Sequence, residues 1–131
     1  MSCEIKWALN KMPKTEDKNL SIMSVVEVKK ARTFHESIPQ YQVTPLADLK
    51  NMAEYLGLAK ACVKDESCRF GLNAFKVLGG SYAIARYIAK ETKRDISQMP
   101  YSVLTSRELR DEFGQATFFS ATDGNHGRGV A

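Results

Sequence analysis

The stretch AFKVLGGSYAIARYIAKE, residues 74–91, decides how this chain folds. Val77, Ile84 and Ile88 recur at the spacing that brings apolar residues to one face of a helix. Small residues along the stretch allow another element to pack closely against it: Gly79, Gly80, Ala83 and Ala85. The pattern predicts a helix from Ala74 to about Glu91, with Lys76 near its start.

Two earlier segments carry signals for the start and the end of a helix. Ser24 and Glu27 have the capping-box spacing S-x-x-E, and the apolar residues that follow predict a helix to about Ser37. Thr44-Pro45 predicts a second helix, with Thr as the N-cap and Pro at the first position. Gly57 stands where the C-terminal cap of that second helix is expected.

Three short segments are predicted as strands, namely residues 5–9, 61–63 and 116–121. The second is predicted to be buried, and the third is rich in residues that favour strands. A helix is predicted over 96–110, with an interruption near Pro100. Strands that alternate with helices indicate an α/β architecture with a largely parallel sheet. We divide the chain into residues 1–115 and a following, incomplete domain that begins at residue 116. Because residues 127–131 look like the first turn of a helix with no strand after it, we expect the natural chain to continue.

Composition excludes several classes of function. The net charge is +4, and no run of five basic residues occurs, so a nucleic-acid partner is not predicted. No apolar run approaches the roughly 20 residues of a membrane helix, and the start lacks a secretory signal. Three sparse cysteines indicate free, buried thiols in a reducing, cytoplasmic location. Their spacing relative to His35 and His126 fits no zinc template, so no metal site is predicted.

Two segments are candidates for chemistry. A helix N-terminus carries partial positive charge, which favours the neutral, nucleophilic amine of a lysine such as Lys76. A lysine whose stem packs while its ammonium reaches water would show the same pattern. The second segment, DGNHGRG at residues 123–129, places three glycines between a predicted strand and a helix start, a turn that can hold an anionic group. Its order, GxxGxG, is not the dinucleotide fingerprint, and a glycine turn of structural purpose is the alternative.

Three motifs together resemble one family. They are TPL at 44–46, VKDESCRFGLNAFKVLGG at 63–80 and ATDGNHGRGVA at 121–131. In this order and separation they are similar to the N-terminal region of fold-type II pyridoxal-phosphate enzymes, the tryptophan-synthase-β-like group. The likeness runs from about Arg32 to the end. Serine and threonine dehydratases of that group usually have Ser-Phe-Lys followed by Arg-Gly, and Ser-Gly-Asn-His in the second loop. This chain has Ala-Phe-Lys followed by Val-Leu-Gly-Gly, and Asp-Gly-Asn-His, which resembles the members that act on diaminopropionate.

The resemblance implies a role for particular residues. Lys76 would hold pyridoxal phosphate covalently and then act as a base at the substrate Cα. Asn125 would hydrogen-bond the phenolic oxygen of the cofactor. Asp123 would remove the Cα proton from the opposite face, so that both D- and L-substrate could react. The backbone around 122–126 would hold the substrate carboxylate, with Thr122, Asp123, Gly124 and His126 as the substrate-binding residues.

The implied reaction is an α,β-elimination that converts 2,3-diaminopropionate to pyruvate and ammonia. The resemblance also implies a cytoplasmic homodimer, and a fold that is the first part of a three-layer parallel sheet. The family's glycine-rich phosphate loop and the residue that contacts the pyridine nitrogen have no candidate in these 131 residues. We therefore expect little activity from this chain alone. Two alternatives stay open: a serine/threonine dehydratase-like lyase of the same fold, and a non-catalytic interaction module that keeps the same half-fold.

Overall fold

The computed structural model describes residues 8, 9, 11, 18–121 and 124–131, and for 18–20 the backbone alone. Its helices are α1 (Val25–Glu36), α2 (Lys50–Leu56), α3 (Lys76–Glu91), α4 (Tyr101–Leu104), α5 (Arg107–Phe113) and α6 (Asn125–Val130). Its strands are β1 (Leu46–Asp48) and β2 (Cys62–Lys64). Short 3₁₀ helices occupy Lys18–Met23, Arg69–Gly71 and Ile96–Gln98. Most of the strand predicted at 5–9 lies outside the described residues.

Helix α1 begins where the sequence predicts. The Ser24 hydroxyl accepts a hydrogen bond from the Glu27 N–H at 3.3 Å, which satisfies one of the unpaired amides of the first turn. At the other end the Ser37 hydroxyl donates to the Phe34 carbonyl at 2.6 Å and accepts the Tyr101 N–H at 2.9 Å. The end of α1 is thereby tied to the start of α4.

The helix predicted at Thr44-Pro45 does not form, and this prediction is wrong. The residues from Leu46 form β1 instead, and α2 begins only at Lys50. Thr44 is buried, and both its hydroxyl and its carbonyl are used by side chains of a later segment, so its hydroxyl is not available as a cap. Gly57 does end α2, in the left-handed conformation with φ 66°, as predicted.

The sheet differs from the predicted parallel one. Strands β1 and β2 pair antiparallel, with Leu46 opposite Lys64 and Asp48 opposite Cys62. A strand is confirmed near residues 61–63, but its residues are exposed rather than buried. Only about a dozen residues separate β1 from β2, and α2 turns the chain back on itself, which suits an antiparallel pair. Mixed helix and strand content is therefore confirmed, whereas a parallel sheet is not found among the described residues.

The strand predicted at 116–121 is also wrong. Residues 114–121, all of them described, have no regular secondary structure and are exposed, with Phe119 93% exposed. A β-rich segment forms a strand only when a neighbouring strand accepts its backbone hydrogen bonds, and the described residues offer none here. The division at residue 116 stays a prediction.

The hydrophobic core is helical. Met99 and Ala85 are 0% exposed, and they pack with Phe34, Ala89, Ile96 and Leu109. These residues join α1 and the C-terminal two thirds of α3 to the segment from the Ile96–Gln98 turn to α5, which breaks at Pro100 as predicted. The first turn of α3, which carries Lys76, lies outside this core cluster and is held by other contacts.

Candidate functional site

Lys76 is the first residue of α3 and is partly buried. Phe75 is the N-cap residue just before the helix, and its carbonyl accepts the Leu78 N–H at 3.0 Å. The predicted placement of Lys76 at a helix start is therefore confirmed. Because Phe75 has no polar side-chain atom, its side chain cannot satisfy the first amides of the helix in the usual way.

The loop that leads to Lys76 contains unusual backbone geometry. Phe70 has φ 48°, Gly71 φ 69° and Asn73 φ 53°, all in the left-handed region. Glycine and asparagine tolerate this region, whereas a bulky residue such as Phe70 is disfavoured there and is held by its surroundings. Residues in such conformations cluster at ligand and active sites. The loop therefore has a property typical of a functional segment.

Arg69 anchors this loop. It is only 4% exposed, and its Nε donates to the Glu66 carboxylate at 2.7 Å. One terminal nitrogen donates to the Gln42 carbonyl at 2.6 Å, and the other to the Thr44 hydroxyl at 3.2 Å. The guanidinium holds the pKa of Glu66 below its usual value. Hydrogen bonds between Thr44 and this buried ion pair thus join two of the three motifs, those at 44–46 and 63–80.

Sequence reasoning missed Arg69. The only local signal is the spacing of Glu66 and Arg69, three residues apart, which allows a side-chain pair on one turn. The partners at 42 and 44 are distant in sequence, so no local pattern reveals them.

His35, which lies on α1, contacts the first turn of α3. Its Nε2 lies 2.8 Å from the Leu78 carbonyl oxygen, and because a carbonyl only accepts, the ring nitrogen donates. Burial lowers the pKa of His35, and the nearby positive charge of Arg69 acts in the same direction, while the hydrogen bond to Leu78 opposes them. The ring stacks on Tyr41 at 6.4 Å and 14° between planes. His35 is a partly buried helix residue, and its contact with α3 was not predicted from the sequence.

Helix α6 packs directly against the start of α3. A Cβ placed on Gly129 would lie 2.8 Å from the Val77 Cα and 3.0 Å from its N, closer than real Cβ atoms come. One turn along α3, a Cβ on Gly80 would lie 3.6 Å from Val130 Cγ2. Only glycine at 129 permits this approach, so the glycines of the DGNHGRG segment allow contact with the residue that follows Lys76.

This packing brings together the two segments expected to carry the site. Asn125 is the first residue of α6 and lies one turn, about 6 Å along the helix axis, before Gly129. His126 follows it and is partly buried, whereas Asn125 is exposed. Gly124 precedes the helix with φ 115°, a conformation that only glycine adopts readily.

The remaining predicted site residues lie outside the described part of the chain. These are Thr122 and Asp123, the expected substrate contact and the expected second base. They directly precede Gly124 and α6 in the sequence, and their roles stay predictions.

Other predictions can be compared with the described residues. No helix among them is long and apolar enough to cross a membrane. They contain no group of three His, Cys, Asp or Glu residues placed to hold a metal ion. Cys62 and Cys68 are free thiols, but both are exposed, so the expectation of buried thiols is wrong for these two.

Comparison with known proteins relates the chain to one class, the ammonia-lyases. No family model matches the sequence. The relatives are, in particular, diaminopropionate ammonia-lyases. The protein of that name from Salmonella typhimurium is 49% identical over 98 residues, which is 75% of this chain and 24% of the relative. The chain therefore spans about a quarter of the length of the curated relatives it matches.

Solved structures show the same relation. The crystal structure of the Escherichia coli diaminopropionate ammonia-lyase in apo form matches with a TM-score of 0.71 and 46% identity, over 83% of this chain and 29% of that one. A structure of that enzyme with an aminoacrylate-PLP azomethine reaction intermediate matches with a TM-score of 0.66 and 45% identity, over 83% and 26% of the two chains. These identities confirm the resemblance drawn from the motifs. Most of this chain is homologous to part of diaminopropionate ammonia-lyase.

Proposed function

We propose that the protein with this sequence is a pyridoxal-phosphate-dependent lyase of fold type II. It converts 2,3-diaminopropionate and one water to pyruvate and two molecules of ammonia. The homology supports the choice of substrate and cofactor. The observation that carries the proposal is the packing of α6 on the first turn of α3. If Lys76 only extended its ammonium to water and the glycine turn were only structural, the two segments would not need to meet at a contact that only glycine permits.

The residues present fit the proposed cofactor. Lys76 supplies the primary amine that pyridoxal phosphate requires, and it follows a loop that contains left-handed residues and a buried ion pair. Gly129 leaves no side chain between α6 and the residue after Lys76. When bound, the cofactor supplies a conjugated ring that delocalises negative charge from the substrate Cα.

Each site residue has a distinct task in this proposal. Lys76 holds the cofactor, and its freed amine then takes a proton from the substrate Cα. Asn125 donates a hydrogen bond to the phenolic oxygen of the cofactor. Lys76 acts on one enantiomer of the substrate, and Asp123 takes the Cα proton of the other. A base on each face of the substrate is needed if both D- and L-substrate react. Thr122, Gly124 and His126 bind the substrate carboxylate.

The whole protein is part of the proposal. The relatives are about three times as long as this chain, so the phosphate and pyridine-nitrogen contacts are assigned to residues beyond these 131. We propose that residues 116–131 begin the second domain of the fold-type II sheet, and that the enzyme is a cytoplasmic homodimer. The 131-residue chain alone is expected to bind the cofactor weakly and to have little activity, because binding energy from distant contacts supports catalysis.

The proposal is tested on the full-length protein. Borohydride reduction after addition of pyridoxal phosphate, followed by peptide mapping, should place the modification on Lys76. Lys76→Ala should abolish both the modification and turnover, whereas Lys90→Ala, an exposed lysine near the other end of α3, should change neither. Modification at another lysine would refute the assignment.

Turnover of three substrates separates the proposal from its alternatives. We expect ammonia and pyruvate from 2,3-diaminopropionate. Turnover of serine or threonine without diaminopropionate would identify a dehydratase. Absence of turnover together with absence of cofactor would favour a non-catalytic module.

A further inference from the structure

The side chain of His35, which is outside the proposed reacting groups, is hydrogen-bonded to the turn that carries Lys76. His35 lies on α1, and the segment 37–75 separates α1 from α3 in the sequence. Its Nε2–H nevertheless donates to the Leu78 carbonyl, 43 residues away. The Ser81 hydroxyl donates to the same oxygen at 3.2 Å. The Leu78 carbonyl is therefore a fixed point two residues beyond Lys76.

The ring of His35 is itself held in one orientation. It stacks on Tyr41, meets Tyr82 at 5.9 Å between centroids and meets Phe34 at 5.5 Å. Behind Tyr41 stands the Arg69 guanidinium, 5.1 Å from the centroid of the Tyr41 ring. A ring held on several sides has few alternative rotamers, so its Nε2–H keeps a constant direction.

The start of α3 has no side-chain cap of its own. Phe75 supplies no side-chain cap, and the preceding loop holds Phe70 and Asn73 in left-handed geometry. The first amides of a helix have no partner within it, so a helix start without a cap frays. The His35 bond does not cap these amides, but it ties the turn that contains them to α1. Fraying of this turn would move the backbone that aims the Lys76 amine.

We propose that His35 is a positioning residue for Lys76: by donating Nε2–H to the Leu78 carbonyl, it fixes the first turn of α3 and thereby the direction of the Lys76 amine. This inference rests on the proposed function, because it assigns His35 a task in the same site. The task requires a hydrogen-bond donor at one point in space, and packing alone does not fulfil it.

The test compares three variants of the full-length, cofactor-loaded protein. His35→Leu keeps apolar bulk and removes the donor. His35→Gln places an amide N–H near the position of Nε2. Ile38→Val is the matched control, because Ile38 packs against the core just beyond α1 and loses one methyl group without touching the Leu78 carbonyl. The measurements are kcat and KM for 2,3-diaminopropionate, the melting temperature, and hydrogen exchange of the amides at 76–80.

We expect His35→Leu to lower kcat about tenfold with KM changed less than about twofold, the scale of one hydrogen bond expressed in a rate. Exchange at 76–80 should accelerate about tenfold, because the turn opens more often. His35→Gln should restore kcat to within about threefold of the wild type, and Ile38→Val should lower the melting temperature while kcat stays within about twofold.

Two results would overturn the inference. One is a His35→Leu variant with unchanged kcat and unchanged exchange at 76–80. The other is a His35→Gln variant as impaired as His35→Leu, with losses that follow melting temperature in all three variants, since that describes packing alone. If the wild type carries no cofactor on Lys76, the proposed function fails; exchange at 76–80 in the same variants then decides separately whether His35 holds the turn.

Discussion

Replacing Gly129 by alanine tests whether the glycine-rich segment must reach the turn of Lys76. The new Cβ would lie 2.8 Å from the Val77 Cα, 3.0 Å from its N and 3.1 Å from its Cβ. Two of these three atoms belong to the backbone of α3, which cannot rotate aside as the end of a flexible side chain can. Helix α6 therefore has to move away from α3.

The magnitude follows from two opposing effects. Alanine is preferred to glycine inside a helix by about 1 kcal/mol, which favours α6 itself. Overpacking costs roughly 1–3 kcal/mol, and contacts with backbone atoms put this site toward the upper end. We expect a net loss of about 1–2 kcal/mol in the docking of α6, which lowers the docked population by a factor of about 5–30.

The assay is titration of the full-length apoprotein with pyridoxal phosphate, followed by absorbance. Because α6 begins with Asn125, its displacement should weaken cofactor binding by about that factor of 5–30. Gly79→Ala is the matched control: it lies within α3, and a Cβ there would meet nothing within 4 Å. If Gly129→Ala binds the cofactor as tightly as Gly79→Ala does, the contact between α6 and Val77 does not organise the site.

Three other substitutions have defined outcomes. Arg69→Met should lower the stability to urea by about 3–5 kcal/mol, because it leaves the Glu66 carboxylate buried without its guanidinium; Glu66→Gln in the same protein should recover part of that loss, and an equal loss would contradict the role of the charge. The folded-state pKa of His35 lies below the ordinary 6.5. The contribution of His35 to the free energy of unfolding is therefore fully present above pH 6.5 and is lost as the pH drops toward the lowered pKa. Urea midpoints at about pH 7.5 and about pH 5.5 should therefore differ less in His35→Gln than in the wild type, and equal differences would show that other groups cause the slope. Asp123→Asn should reduce turnover of one enantiomer of 2,3-diaminopropionate by about 100-fold or more and spare the other, whereas unchanged turnover of both would exclude a second base at this position.

The elements that the sequence predicts well are those fixed by neighbouring residues. The cap of α1 needs only Ser24 and Glu27, three residues apart, and α3 has a continuous apolar face. Gly57 ends α2 because the left-handed conformation is a local demand. The start at Thr44-Pro45 failed for the opposite reason: side chains of Lys64, Glu66 and Arg69 bind Thr44, and nothing near residue 44 announces them.

The strand predicted at 116–121 shows a second limit. Its composition is suited to a strand, yet pairing is decided by whether another strand lies alongside. In the described residues Phe118 instead meets Tyr87 of α3 edge to face at 5.7 Å between centroids. The β-propensity of residues 116–121 favours a strand, but no strand lies beside them among the described residues, so none forms.

The candidate site divides in the same way. The sequence pattern alone allowed two roles for Lys76, a catalytic lysine or a surface lysine whose stem packs while its ammonium reaches water. Only the resemblance paired Lys76 with the DGNHGRG segment. The structure supplies the physical link through Gly129. It also adds Arg69, whose bond to the Gln42 carbonyl spans 27 residues, and His35, whose bond to the Leu78 carbonyl spans 43; no local pattern reveals these two distant partners.

The contacts that hold the turn of Lys76 share one chemical feature. Gly129 meets backbone atoms of Val77, His35 binds the carbonyl of Leu78, and the N–H of Leu78 binds the carbonyl of Phe75. Each contact reaches the main chain rather than a side chain. The side chains at 77 and 78 are therefore not needed for these contacts, whereas positions 35 and 129 each require a particular chemistry, a donor in one case and the absence of a Cβ in the other. One contact comes from before Lys76 in the sequence and the other from after it, so the positioning that we propose for the Lys76 amine requires both α1 and α6 to dock on α3.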